Sequence, residues 1–320
     1  MICVLHKPKK AEIRLYTEPH STYFMTDASV IRHKIVDNLG QSKVGLSSLE
    51  ISKAVGMNRV TLSKYLGILY AEGVIGQKHV GNAIVWFVHE GTDLFSFPDD
   101  YDIVTKKYLD LLLDNSAETA HHMIRNCLHM GATTEKIMSE VILPASEYVM
   151  RTYEEGNIGS AELHLLQNAL RDSIRFASND NTIVNADKNT VLIATDALGS
   201  ILCGAAASVL RNGGWTVSHV GDMSKSANSM LDLDLHKLLR RVWPKKRGIM
   251  IVAIFSRTGE GLGLFSEAAE AVTIKLKTKK IRLLLFGSDS ADASARVDLA
   301  TTNFMHAMQW FQTSYETISR

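Results

Sequence analysis

The chain has 320 residues, 46% of them hydrophobic and 22% charged, with 35 Lys/Arg against 34 Asp/Glu for a formal charge of +1. That composition excludes the disordered and fibrous classes and leaves room for two or three compact domains. The near-neutral balance excludes a globally basic nucleic-acid coat, so any DNA contact must come from a local basic face. Cys3, Cys127 and Cys203 lack CxxC spacing and predict neither a zinc site nor a disulfide framework, which fits a reducing compartment. No run approaches the roughly 18 to 20 apolar residues of a membrane span, and the N-terminus lacks the order of a secretory signal. The expectation is a cytoplasmic protein with no membrane partner.

Before about residue 25 the pattern is irregular, and TEPHSTYF reads as loop. TDASVIRHKIVDNL then puts Val30, Ile31, Ile35 and Leu39 on one helical face, with Thr26 or Asp27 as N-cap. In the following stretch Ser47 and Glu50 have capping-box spacing, and Leu46 with Ile51 form a hydrophobic staple. They start a second helix that points Leu49, Ile51 and Val55 at a core and stops at Gly56. A tight turn leads to an Asn58 cap and a third helix carrying Val60, Leu62, Leu66, Leu69 and Tyr70. After Gly73, VIGQKHVGNAIVWFV offers two β-rich runs around Gly81 and Asn82, a hairpin. The set, over about residues 26 to 90, resembles the winged helix-turn-helix domains of bacterial and archaeal transcription regulators. The resemblance implies a double-stranded DNA partner read by Asn58, Arg59, Thr61, Ser63 and Lys64, with Lys78 and His79 of the wing on the backbone or minor groove. It also implies a homodimer or higher homo-oligomer, because such regulators read two half-sites. Winged helices that only dimerise or dock proteins are the alternative.

HEGTDLFSFPDD loses periodicity and reads as a linker. The boundaries are therefore 1–95 for the DNA-binding domain, 100–180 for a four-helix bundle and 188–320 for an α/β domain. The bundle has breaks at Asn115, Gly131 and the Gly156 to Gly159 turn. Its stretch MGATTEKIMSEVILPASEYVMRTYEEGNIGSAELH is similar to the helical cap before the cobalamin-binding domain of methionine synthase, corrinoid methyl carriers and light-sensing cobalamin-dependent repressors. Leu143, Pro144 and Ala145 match the L-x-P-A part, Glu154 to Ile158 the turn, and His164 the histidine. Tyr153 stands where the photoreceptors have tryptophan, and Leu163 where they have glutamate. The likeness implies that Tyr153 and His164 cover the upper face of a flat cofactor, His164 as an upper metal ligand. The alternative is that both simply pack.

From residue 188 the texture is α/β: TVLIAT, WTVSHV, GIMIVAIF and IRLLLFG are strands, with helices between the first three and after Ser266. The overall expectation is a mixed α/β and all-α chain: winged helix, four-helix cap, and a doubly wound parallel sheet of flavodoxin-like or Rossmann-like type. Cobalamin domains bind through a DxHxxG loop after the first strand. Here TDALGSIL holds no histidine, and the ligand position falls on Gly199 or Asp196. Gly204 of the following small-residue helix, Ser256 and Thr258 after the third strand, and Gly287 after the fourth complete the family's cofactor contacts. Three cofactor readings stand open: cobalamin held from above by His164, haem or another tetrapyrrole in the same cleft, or no cofactor and a dimerisation or protein-docking scaffold. A regulator that senses a tetrapyrrole, light or a small ligand leads. A corrinoid methyl carrier is the competing class, weakened by the missing histidine. No nucleophile-base constellation is legible, so no enzymatic activity is expected.

Overall fold

The computed structural model describes residues 27–42, 44–71, 73–81, 83–89, 95, 97, 100–178, 182–226, 230–259, 261–278, 280–287 and 297–319. The Thr26 cap, most of the linker around residues 89–100 and Asn82 of the hairpin lie outside them. An N-terminal unit runs α1 (Asp27–Gly40), β1 (Leu46–Ser47), α2 (Ser48–Val55), α3 (Arg59–Ala71), β2 (Ile75–Val80) and β3 (Ala83–Val88), with the strands in antiparallel order β1-β3-β2. The capping box forms: the Ser47 hydroxyl accepts from Glu50 N–H at 3.4 Å and the Glu50 carboxylate accepts from Ser47 N–H at 2.7 Å. Gly56, at φ 71°, closes α2 in the left-handed conformation and turns the chain into α3. Ile35, Leu39, Ile51, Leu62, Leu66 and Leu69 bury the three helices against each other. Leu49 departs from the predicted core face and is 44% exposed, since an eight-residue helix meets that core along one row only, that of Ile51.

The middle unit is α4 (Tyr101–Leu113), α5 (Ala117–His129), a continuous helical run made of α6 (Thr134–Lys136), a π-turn (Ile137–Ile142) and α7 (Leu143–Glu154), then α8 (Ser160–Ala177). The predicted breaks are left-handed turns at Asn115, Gly131 and Gly156. The π-turn has a local cause. Pro144 has no N–H for the Glu140 carbonyl, so the ladder widens and Leu143 N–H reaches back five residues to Met138. Thr105 of α4 covers the released Glu140 carbonyl at 2.7 Å. A buried bond of 2.7 Å from Tyr108 to Ser173 ties α4 to α8, and burial pushes the Tyr108 phenol up from its ordinary value.

The C-terminal unit is β4 (Lys188–Ala194), α9 (Ala197–Asn212), β5 (Thr216–Asp222), α10 (Leu231–Val242), β6 (Ile249–Phe255), α11 (Leu262–Leu276), β7 (Ile281–Phe286), β8 (Leu299–Thr301) and α12 (Phe304–Ser319). All five strands are parallel in the order β5-β4-β6-β7-β8, a doubly wound sheet. Alternation within the strands splits the core. Leu192, Ile251, Ala253 and Phe255 join α9, α12 and the helical bundle, whereas Val191, Ile193, Val252 and Ile254 join α10 and α11. Both faces are covered at the centre of the sheet, which is why β4, β6 and β7 read as apolar runs, whereas the edge strand β5 is largely exposed or half-buried. The helix expected after Ser266 begins earlier, at Leu262, and both β8 and α12 lie beyond the elements expected from sequence.

Candidate functional site

In a doubly wound sheet the point where strand order reverses opens a crevice at the carboxyl ends of the strands, here between β4 and β6. The two loops that meet there carry Asp196 and Ser256 to Thr258. Asp196 is the N-cap of α9, and its Oδ1 accepts from Gly199 N–H at 2.6 Å. Its Oδ2 accepts from the Ser256 hydroxyl at 2.7 Å, from Arg257 N–H at 2.8 Å, and from the N–H and hydroxyl of Thr258 at 3.2 and 3.3 Å. Ser256 in turn accepts from Gly259 N–H at 3.0 Å. Partial burial alone would raise the Asp196 pKa. The donors from Gly199, Ser256, Arg257 and Thr258 outweigh it and hold the carboxyl below its ordinary range. The result is a lock: a nest of donors suited to an anion is filled by the chain's own carboxylate.

Space lies beside the lock. A cavity of about 520 Å³ opens between the bundle and the strand ends, walled by Glu140, Leu143 and Pro144 on one side and by Arg257, Gly287 and Asn303 on the other. A neighbouring recess of 210 Å³ shares Leu143, Glu147, Leu202 and Arg257 with it and adds Arg151 and Glu154. Of the residues expected from sequence, Asp196, Gly199, Ser256, Thr258 and Gly287 converge at this edge. Arg257, Arg151 and Glu147 were missed; the polar SRTG run directly after a buried strand was the available signal. Gly204 does not belong: a Cβ there would meet Ile174 of α8 at 3.8 Å, an ordinary contact, so α9 is small because it is wedged between sheet and bundle. Tyr153 and His164 do not belong either. Both are exposed and neither lines the cavity or the recess, because residue 153 lies on the outer side of the last turn of α7 and residue 164 on the solvent side of α8.

These residues do not fit a cobalamin held through a lower histidine. At Gly199 a Cβ would stand 2.6 Å from the Phe255 carbonyl oxygen, so no imidazole can replace it without parting β4 from β6. At Asp196 the position is consumed by the lock. No group of three or more His, Cys, Asp or Glu able to hold a metal occurs among the described residues. The buried Thr195 hydroxyl under the lock has no hydrogen-bond partner among them.

In the N-terminal unit Arg59, Ser63 and Lys64 are exposed on α3, and Lys78 and His79 on β2. Asn58 is committed to capping, its Oδ1 accepting from Thr61 N–H at 2.8 Å, and Thr61 is half-buried. Lys78 lies over the Phe87 ring at 5.6 Å. Val60 and Ile68, 74% and 50% exposed, share the outer face of α3 with Lys64. Residues 27–89 hold seven Lys/Arg against four Asp/Glu, so the unit is more basic than the chain as a whole. His121 is half-buried against Phe176, and His122 stacks on His89 at 5.7 Å, joining this unit to the bundle. No helix among the described residues is long and apolar enough to cross a membrane.

No family model and no curated protein matches the chain. Among solved structures the chain is similar to the monomethylamine corrinoid protein of Methanosarcina barkeri, at 12% identity over 68% of this chain and 99% of that one, with a TM-score of 0.47. It is also similar to the methanol:cobalamin methyltransferase complex of Methanosarcina barkeri, at 11% identity over 71% and 83%, with a TM-score of 0.32. The names of both are those of corrinoid or cobalamin proteins. At that level of likeness neither the cofactor nor the partner of those proteins passes to this chain.

Proposed function

We propose that the chain is a DNA-binding regulator whose bundle and α/β sheet form an effector or dimerisation module that has given up corrinoid chemistry. The observation that supports the first half is the N-terminal unit, whose element order and sheet pairing match those expected of a winged helix, with Arg59, Ser63 and Lys64 exposed at the start of the helix that follows the turn. Arg59 can bridge the O6 and N7 acceptors of a guanine, while Lys64 and Lys78 contribute phosphate contacts. The second half is supported by Asp196, which occupies with its own carboxylate the loop where a corrinoid domain presents its histidine. The module then acts through the cavity between bundle and sheet or through a second copy of the chain, and performs no catalysis.

The test uses the full chain with a duplex from upstream of its own gene. Arg59→Ala should weaken binding by about ten-fold, the loss of one good base contact, and relax selectivity at that base pair. Failure of the wild type to bind any duplex at low salt removes the regulator reading. Retention of hydroxocobalamin or haemin, seen as visible absorbance that survives gel filtration, would return the corrinoid or tetrapyrrole readings in its place.

A further inference from the structure

At the opposite, amino-terminal edge of the same sheet two segments carry charge of one sign. Residues 236–247 and 275–282 together hold eleven Lys/Arg and no Asp/Glu, in a chain whose total charge is +1. Topology brings the two segments together. They end at β6 and β7, which pair side by side, and Met250 N–H donates to Lys280 O at 2.9 Å. The Lys246 ammonium reaches across to the Leu276 carbonyl at 3.3 Å. Four of the cations have acidic partners from elsewhere: Arg247 with Asp187, Lys275 with Asp232, Lys237 with Asp234, and Arg282 with Asp298. Arg240, Arg241, Lys245 and Lys277 have no ion pair among the described residues, and all four are exposed, as are Lys246 and Lys280. A groove of 380 Å³ between Arg240, Lys246 and Lys275 gives the surface a concave centre.

Backbone conformation adds an independent observation. Lys246 and Lys277 sit at φ 46° and 49°, two of the three non-glycine residues with positive φ among those described. Glycine is the low-strain residue at both turns, and Lys277 occupies the position after α11 where glycine is most common. A lysine in each place keeps a charge on the surface at the cost of strain, which is the kind of outlier that accompanies a binding role.

We infer that this edge, centred on Arg240, Arg241, Lys245, Lys246, Lys277 and Lys280, binds the phosphate backbone of double-stranded DNA without reading its sequence. The chemistry of the surface favours the duplex over a single strand or a lipid interface. No aromatic side chain is exposed in either segment, Trp243 being buried with its indole N–H on the Arg247 carbonyl at 2.7 Å, so bases of a single strand have no platform to stack on. Ile274 is the large apolar residue exposed at its margin, too little for insertion into a lipid interface. The inference does not require α3 to bind DNA.

The test measures anisotropy of a labelled duplex of scrambled sequence with the full chain across a range of NaCl. Neutralising the edge in R240Q/R241Q/K245Q/K280Q should weaken binding at least ten-fold at low salt and reduce the slope of log K against log salt by about 3.6, about 0.9 per lost phosphate contact. The charge-preserving R240K/R241K/K245R/K280R should bind as the wild type, which separates charge from folding. An unchanged slope in the glutamine variant overturns the inference, as does tighter binding of the wild type to phosphatidylserine vesicles than to the duplex. R59A/K64A keeps the two readings apart. If it loses all scrambled-duplex binding, the edge is overturned and the regulator reading survives; if it keeps that binding and the glutamine variant loses it, the edge stands whatever becomes of promoter selectivity.

Discussion

The two ends of the parallel sheet solve the same problem in opposite ways. At the carboxyl end the loops after β4 and β6 converge their N–H and hydroxyl donors on Asp196, an anion supplied from within. At the amino end, roughly 20 Å away along seven-residue strands, the loops before β6 and β7 gather cations that the chain leaves in excess. The difference teaches that position in a fold does not make a binding site. The reversal of strand order marks where a ligand is usually held, yet here its donors are filled from within and the remaining space lies beside them. The edge that carries no such expectation has the unbalanced charge.

The largest effect should come from forcing the closed end open. Gly199→His drives a side chain into the Phe255 carbonyl and should lower the unfolding free energy by about 3 kcal/mol, read from urea midpoints. A stable Gly199→His protein that retained hydroxocobalamin would instead show that a corrinoid loop is latent here, and the comparison would collapse. Asp196→Ala removes a cap and the charged anchor of the β6 loop and should cost about 2 kcal/mol, partial exposure of the carboxylate tempering the figure. Because the folded pKa is depressed, this contribution is complete above the ordinary carboxylate value of 3.8 and disappears as pH falls through the lower folded value. The gap between wild type and Asp196→Ala should therefore be flat at neutral pH and narrow in acid; a gap that widens in acid contradicts the lock.

At the other end the sign reverses. Lys277→Gly relieves a left-handed lysine and should raise stability by up to about 1 kcal/mol while weakening scrambled-duplex binding slightly. A variant that gains stability and loses no affinity would mean that the strain serves only the turn. The smallest effect belongs to neither end. His89, held below its ordinary 6.5 by burial and then by the nearby His122, is neutral in the stack that joins the N-terminal unit to the bundle. That contact is complete above pH 6.5 and weakens as pH falls through the lower folded value. His122→Ala should reduce the pH dependence of amide-exchange protection, measured relative to intrinsic exchange rates, in the last residues of β3.

Short-range devices in this chain are plain in its residues. The capping box of Ser47 and Glu50, the Gly56 stop, the turns at Asn115, Gly131 and Gly156, and the limits of α8 over residues 160–177 all follow from periodicity and from local hydrogen bonds spanning three or four residues. Three of the long strands, β4, β6 and β7, follow from apolar runs buried on both faces. The site was only half legible. The sequence marked Asp196, Ser256 and Thr258 as neighbours of one edge, but that the carboxylate fills the donors sixty residues away depends on how β4 and β6 pair, and no local pattern encodes that. The same holds for Tyr153 and His164, whose motif matched while the turn of each helix carried the side chain outward. β8, three residues long, exists only because β7 offers it an edge.

What the sequence by itself determined is therefore the list of elements and their order, because those rest on contacts between near neighbours in the chain. Tertiary structure alone decided which groups meet. It closed the expected ligand loop with Asp196 and set two separate lysine-rich turns side by side, because strand pairing fixes which loops share an edge and a side chain's chemistry depends on what stands opposite it.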